Sequence, residues 1–192
     1  MNKSLIIICL LLITFYSNGQ NRISVGLGYD VAIPVGDLGD IAKTGHNWSL
    51  FGEYPLNKEI SLQLLTGYMI MAIDMEPIAA QGQVVTFNLK SIPLKGAVKY
   101  FFYEDVFLQG ELGVSFIKVS ALLEDFNANA TNESTDFQAK FTLGGGIGAA
   151  FHLSEQSLLN LTGKYMYVSG GDLSLDFNHI LIGLGLVVHF DI

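Results

Sequence analysis

The chain has 192 residues; half are apolar, only 15% are charged, and the mean hydropathy is +0.41. Soluble domains carry about 25% charged residues, so this composition does not suit an ordinary water-facing surface. The formal charge of −8, from 18 acids against 10 bases, argues against a nucleic-acid binder, which needs a Lys/Arg-rich face.

In chain order, Met1-Asn2-Lys3 starts positive and Leu5 to Tyr16 forms an apolar run. Ser17-Asn18-Gly19 then places small residues before a cut at Gln20. This layout predicts a secretory signal peptide over 1–19 and one domain over 20–192. The run is too short for a spanning helix, which needs about 20 residues. The single cysteine, Cys9, lies inside the run and follows Ile8 rather than a small residue, so neither a lipid anchor nor a disulfide is expected.

After residue 20 the apolar pattern has period 2 nearly throughout. It predicts eight strands, near 22–34, 47–56, 59–72, 87–102, 106–122, 137–153, 157–168 and 177–190. Three connections are tight: Asn57-Lys58, Tyr103-Glu104-Asp105 and Ser154-Glu155-Gln156. The other four are long: Val35–His46, Ile73–Thr86, Leu123–Asp136 and Ser169–Asp176. Short and long alternate strictly. In an up-and-down sheet all tight turns therefore fall at one end and all long loops at the other, the asymmetry of outer-membrane barrels.

Each strand has one large apolar face and one small face. Strand 8 sets Ile180, Ile182, Leu184, Leu186, Val188 and Phe190 against a face containing Gly183 and Gly185. A soluble, lipocalin-like barrel that holds an apolar ligand would turn the apolar face inward and cover the other face with Lys and Glu. Here the minor face is mostly Gly, Ala, Ser, Thr and Gln, which suits the crowded interior of an eight-stranded barrel. Aromatics gather near both ends of the apolar face: Tyr54, Phe102, Phe151 and Phe190 at one, Trp48, Tyr68, Phe116 and Tyr167 at the other. These resemble two interfacial girdles. The expected fold is all-β: an eight-stranded antiparallel up-and-down transmembrane β-barrel.

The chain resembles the small outer-membrane β-barrel family of Gram-negative bacteria, the OmpA/OmpX-like "porin family". The resemblance rests on Gly28 with Pro34-Val35-Gly36, Ile92-Pro93-Leu94 through Lys99-Tyr100-Phe101-Phe102, Gly144 to Gly148, and Gly183-Leu184-Gly185 to Phe190. It implies an integral outer-membrane protein with periplasmic termini. The implied partners are outer-membrane lipid, lipopolysaccharide and the barrel-assembly machinery.

Strand parity places Asp30, Glu53, Lys95, Lys99, Glu111 and Lys164 on the inner face, three acids against three bases. They form a candidate lumen network, either a salt-bridge gate or a structural plug; the plug is the expectation. Gly144 to Gly148 superficially resembles a phosphate-binding loop, but no helix follows it. His152-Leu153-Ser154, with Glu155, resembles the His-x-Ser of lipid A deacylases, which gives an alternative hydrolase reading. The favoured reading there is a turn serine beside an interior histidine. His46, His179 and His189 lack metal-ligand spacing, and no cofactor or metal is expected.

The acidity is positional. The long connections hold Asp37, Asp40, Asp74, Glu76, Glu124, Asp125, Glu133, Asp136, Asp172 and Asp176 against Lys43 alone. The rest of the mature chain is neutral. One rim is thus acidic and suits divalent cations or an extracellular ligand. The expected protein is a non-enzymatic monomer with a structural, surface-interaction or envelope-integrity role.

Overall fold

The structure, a computed structural model, describes residues 22–73, 83–125, 137–170 and 176–191. The signal peptide predicted over 1–19 lies outside these residues. So do the loop acids Asp74, Glu76, Glu133, Asp136 and Asp172.

Eight strands run β1 (Arg22–Pro34), β2 (Gly45–Pro55), β3 (Ile60–Ile73), β4 (Gln83–Tyr103), β5 (Val106–Asp125), β6 (Gln138–Ser154), β7 (Ser157–Val168) and β8 (His179–Asp191). Each pairs with its sequence neighbours, and β1 pairs with β8 from Arg22↔Asp191 to Pro34↔His179, closing the barrel. All pairings are antiparallel. Closure leaves no sheet edge, which a strand structure needs where lipid cannot hydrogen-bond the backbone.

Two strands are longer than the period-2 pattern predicts. β4 and β5 continue pairing up to Gln83↔Asp125, so Glu124 and Asp125 end a strand rather than lie in a loop. Val84 and Val85 in this extension are β-branched and favour the pleat. Pro93 marks a local fault within β4. It pairs with Ser115 of β5, but on the β3 side the ladder skips from Thr66↔Leu94 to Met69↔Ser91. Proline has no N–H to give that ladder.

The outer surface carries the large apolar residues, among them Leu27, Leu64, Leu112, Phe151 and Leu184, all exposed. Leu64 is 65% exposed, an arrangement that only a hydrocarbon surround makes favourable over most of a barrel. Trp48 and Tyr68 are directly opposed on β2 and β3, and Tyr29, His46 and Trp48 form one ring cluster beside them. The Tyr29 hydroxyl and His46 Nδ1 are 2.6 Å apart.

The interior is less uniformly small than the alternation suggests. Toward the long loops it is packed by Met69, Met71, Leu89, Ile117, Met166 and Leu181. Leu38, from a single 3-10 turn at Gly36–Leu38, and Phe177 fold in over them. Toward the short turns Phe51, Leu65, Ala97 and Val187 form a second cluster. Glycines make room for these side chains. A Cβ at Gly144 would overlap Met166, and one at Gly148 would overlap the Phe107 ring.

Candidate functional site in the barrel lumen

Below the long-loop cluster, and interleaved with the second one, lies a polar network. Strand parity brings Asp30 from β1, Glu53 from β2, Lys95 and Lys99 from β4, Glu111 from β5 and Lys164 from β7 into the barrel. All six are buried, Lys99 to 1% and Glu111 to 2% exposure.

Five of the six are joined. Glu111 accepts Lys95 on the neighbouring strand and Lys164, at 3.2 Å, from β7. Gln109 Nε2 donates to Glu111 Oε1 at 2.8 Å and to Gln63 Oε1 at 3.0 Å. Gln63 Nε2 donates to Glu53 Oε2 at 2.6 Å, and Lys99 Nζ donates to the same oxygen at 3.3 Å. Lys99 also lies over the Phe107 ring, 4.1 Å from its centroid. Asp30 stands aside and accepts from Asn47 Nδ2 at 2.7 Å. Glu53 is thus matched with Lys99, and Glu111 with Lys95 and Lys164, where an unpaired buried charge would cost several kcal/mol, while Asp30 is met by a neutral amide.

Several members were not singled out from sequence. Gln63 and Gln109 are the links between the two ion-paired ends, and their inward parity was the available signal. Lys140 is a further buried lysine, also inward by parity, and donates to the Gly170 carbonyl at 2.9 Å. Two cavities, of about 30 and 20 Å³, flank the layer. Each has room for a water or two, since one needs roughly 10–15 Å³.

The His152 and Ser154 pair is not brought together. Ser154 Oγ meets Ser157 Oγ at 2.7 Å, while His152 Nδ1 faces Asp105 at 3.4 Å. No hydrogen bond joins them among the described residues. Nor do the described residues hold a group of three or more His, Cys, Asp or Glu placed to bind a metal.

A closed sheet with an apolar belt outside and paired charges inside defines an integral outer-membrane barrel. The chain belongs to the outer membrane protein beta-barrel domain family, which matches residues 7–190. Comparison with curated proteins gives no match.

Among solved structures it is similar to Neisserial surface protein A, with a TM-score of 0.57 and 17% identity over 88% of this chain and 97% of that one. It is similar to OprG of Pseudomonas aeruginosa, with a TM-score of 0.55 and 14% identity over 91% and 98%. It is also similar to the attachment invasion locus protein Ail of Yersinia pestis, solved with the heparin analogue sucrose octasulfate. There the TM-score is 0.54 and the identity 16%, over 90% and 99%. At these identities the likeness carries the fold alone.

Proposed function

We propose that this protein is a non-enzymatic outer-membrane barrel with a structural, surface-interaction or envelope-integrity role and a plugged lumen. The observation that carries this reading is Glu111, which ties β5 to both β4 and β7 inside the barrel and is itself linked through Gln109 and Gln63 to Glu53 on β2. A gate would need these pairs to exchange partners. The apolar packing toward the long loops, capped by Leu38 and Phe177, opposes a continuous water path through the lumen. A soluble ligand-binding barrel is not favoured, because the apolar faces point outward. The hydrolase reading loses its geometry with the separation of His152 from Ser154.

Conductance in planar bilayers tests the plug. The wild-type chain and Glu111→Gln are both expected to lack sustained open-pore current. A large new conductance in the variant would make the lumen network a gate instead. Lipid A mass spectrometry on a deletion strain tests the absence of hydrolysis; an altered acyl pattern would restore the enzyme reading.

The partners follow from surface chemistry. The apolar belt meets outer-membrane lipid and lipopolysaccharide, and the barrel-assembly machinery inserts it. The short turns face the periplasm and the protein acts as a monomer. At the opposite end Asp37, Asp40 and Asp176, with Glu124 and Asp125 ending β5, favour divalent cations or a cationic extracellular ligand. A polyanion such as the one solved with Ail would be repelled there. Neutralising these acids should lower calcium binding to the reconstituted barrel; unchanged binding would remove the rim from the proposal.

A further inference from the structure

The short-turn mouth of the barrel opens into a concavity of about 210 Å³, at the opposite end from the acidic rim and meeting the lumen network only at Glu53. Its wall presents hydrogen-bond donors. Arg22 spends only its Nε on Asp191, at 2.7 Å. Lys58 has no ion-pair partner among the described residues. Asn57 uses its side-chain oxygen to cap the turn, accepting from the Glu59 and Ile60 amides at 2.8 and 2.7 Å, so its amide nitrogen remains as a donor. His189, His152, Ser24 and Ser61 stand on the same wall.

Acceptors are fewer: Glu53 is the one carboxylate lining this space, and the carboxylates around it are each engaged through one oxygen. Glu53 is held by Lys99 and Gln63 from behind, Asp191 by Arg22, and Asp105 by His152. The Ser24 hydroxyl and His189 Nδ1 are paired at 2.6 Å. A surplus of donors around a concave, half-open space calls for a ligand that only accepts. A tetrahedral oxyanion meets that need, because each of its oxygens can take charge-assisted bonds from Arg and Lys. Phe101 and Leu158 add apolar wall, which a bare ion would leave wet and the organic part of an ester would cover.

We propose that the short-turn mouth is a binding site for a phosphate group, either free phosphate or the phosphate of a lipid headgroup or other ester. The proposal does not depend on whether the lumen is plugged. Its test uses the full barrel refolded in maltoside micelles, which contain no phosphate, with the ring resonances of His152 and His189 followed by NMR at fixed neutral pH.

Titrated inorganic phosphate should shift both rings saturably, and chloride at equal ionic strength should not. Joint Lys58→Gln and Arg22→Gln substitution should weaken binding about tenfold or more, while Lys58→Arg retains it. A gel shift on boiling confirms that each variant is folded. In a second arm phosphatidylglycerol is added to the micelles without free phosphate. If it reproduces the shifts, the site takes a lipid headgroup; if only the free anion does, it takes a soluble phosphate. Shifts that chloride matches, that persist in the double variant, or that neither phosphate source produces would overturn the proposal.

Discussion

Glu111 and Lys164 form an ion pair at 3.2 Å although their strands, β5 and β7, are not neighbours in the barrel. The pair therefore passes over β6 on the inner face of the barrel, and the same carboxylate also holds Lys95 on β4. Glu111→Gln should leave two buried lysines without their carboxylate and destabilise the barrel by about 3–5 kcal/mol. Converting Glu111, Lys95 and Lys164 together to Met should cost far less, because no charge is then left unpaired. Urea unfolding from liposomes reads both. Trp48, the only tryptophan and half exposed on the lipid-facing side, reports it by fluorescence. A triple variant weaker than Glu111→Gln would show that the charges themselves stabilise the fold.

The short-turn end of the network is braced differently. Lys99 Nζ lies 4.1 Å from the Phe107 centroid and 5.0 Å from that of Phe101, and the two rings are 5.4 Å apart. A desolvated cation over a ring contributes about 2 kcal/mol, so Phe107→Leu should cost roughly 2–3 kcal/mol once lost packing is added. Phe101→Leu should cost less, because that ring is farther away and only partly buried. A double-mutant cycle with Lys99→Met separates the ring–cation part from packing. Equal losses with and without the lysine would assign the whole effect to packing.

The fold was legible in the sequence because membrane barrels enforce strict alternation: one residue in two must face lipid. That constraint gave the strand count, the alternation of short and long connections, and the inward parity of all six charged residues. What parity could not give is distance along the barrel axis. Gln63, Gln109 and Glu111 join because β3 and β5 bring them to one height, and that height follows from the pairings Gln63↔Ala97 and Ala97↔Glu111. Lys140 shares the parity of Thr142 yet lies too near the loops to join them. The large inward residues, Met71 and Met166 among them, were hidden for another reason. Their room comes from glycines on the facing strand, as at Gly45 and Gly144, so the volume is shared between strands and no single strand shows it.

Glycines in this barrel divide into two kinds, which substitution should separate. At Gly146 an added Cβ would lie 2.7 Å from Lys164 Cα and overlap the Gly163 carbonyl, so Gly146→Ala must push β7 aside and disturb Lys164. Overpacking of this kind costs about 1–3 kcal/mol. At Gly110, which faces outward, an added Cβ meets nothing within 4 Å. Gly110→Ala should be neutral or stabilise by about 0.5–1 kcal/mol, since alanine has less chain entropy to lose. Unfolding free energies in one lipid compare them directly. Equal effects at the two sites would contradict the assignment of inner and outer faces.

Leu38 seals the long-loop end from a segment that is not itself a strand. It is 2% exposed, packed among Met71, Leu89, Met166 and Phe177, and its carbonyl accepts the Ala42 amide at 2.9 Å. The Lys43 amide then bonds the Ala72 carbonyl at 2.8 Å, tying this segment to the end of β3. Leu38→Asp cannot keep its carboxylate in that apolar cluster, so the segment must swing out and admit water above the polar layer. The strands have their own ladders and should stay paired. Hydrogen exchange at the Ala42 and Lys43 amides should therefore quicken about 10–100-fold, while exchange in the β1–β8 ladder is unchanged. Faster exchange throughout the barrel would mean that Leu38 supports the whole fold rather than capping it, and unchanged exchange at Ala42 would mean that it caps nothing.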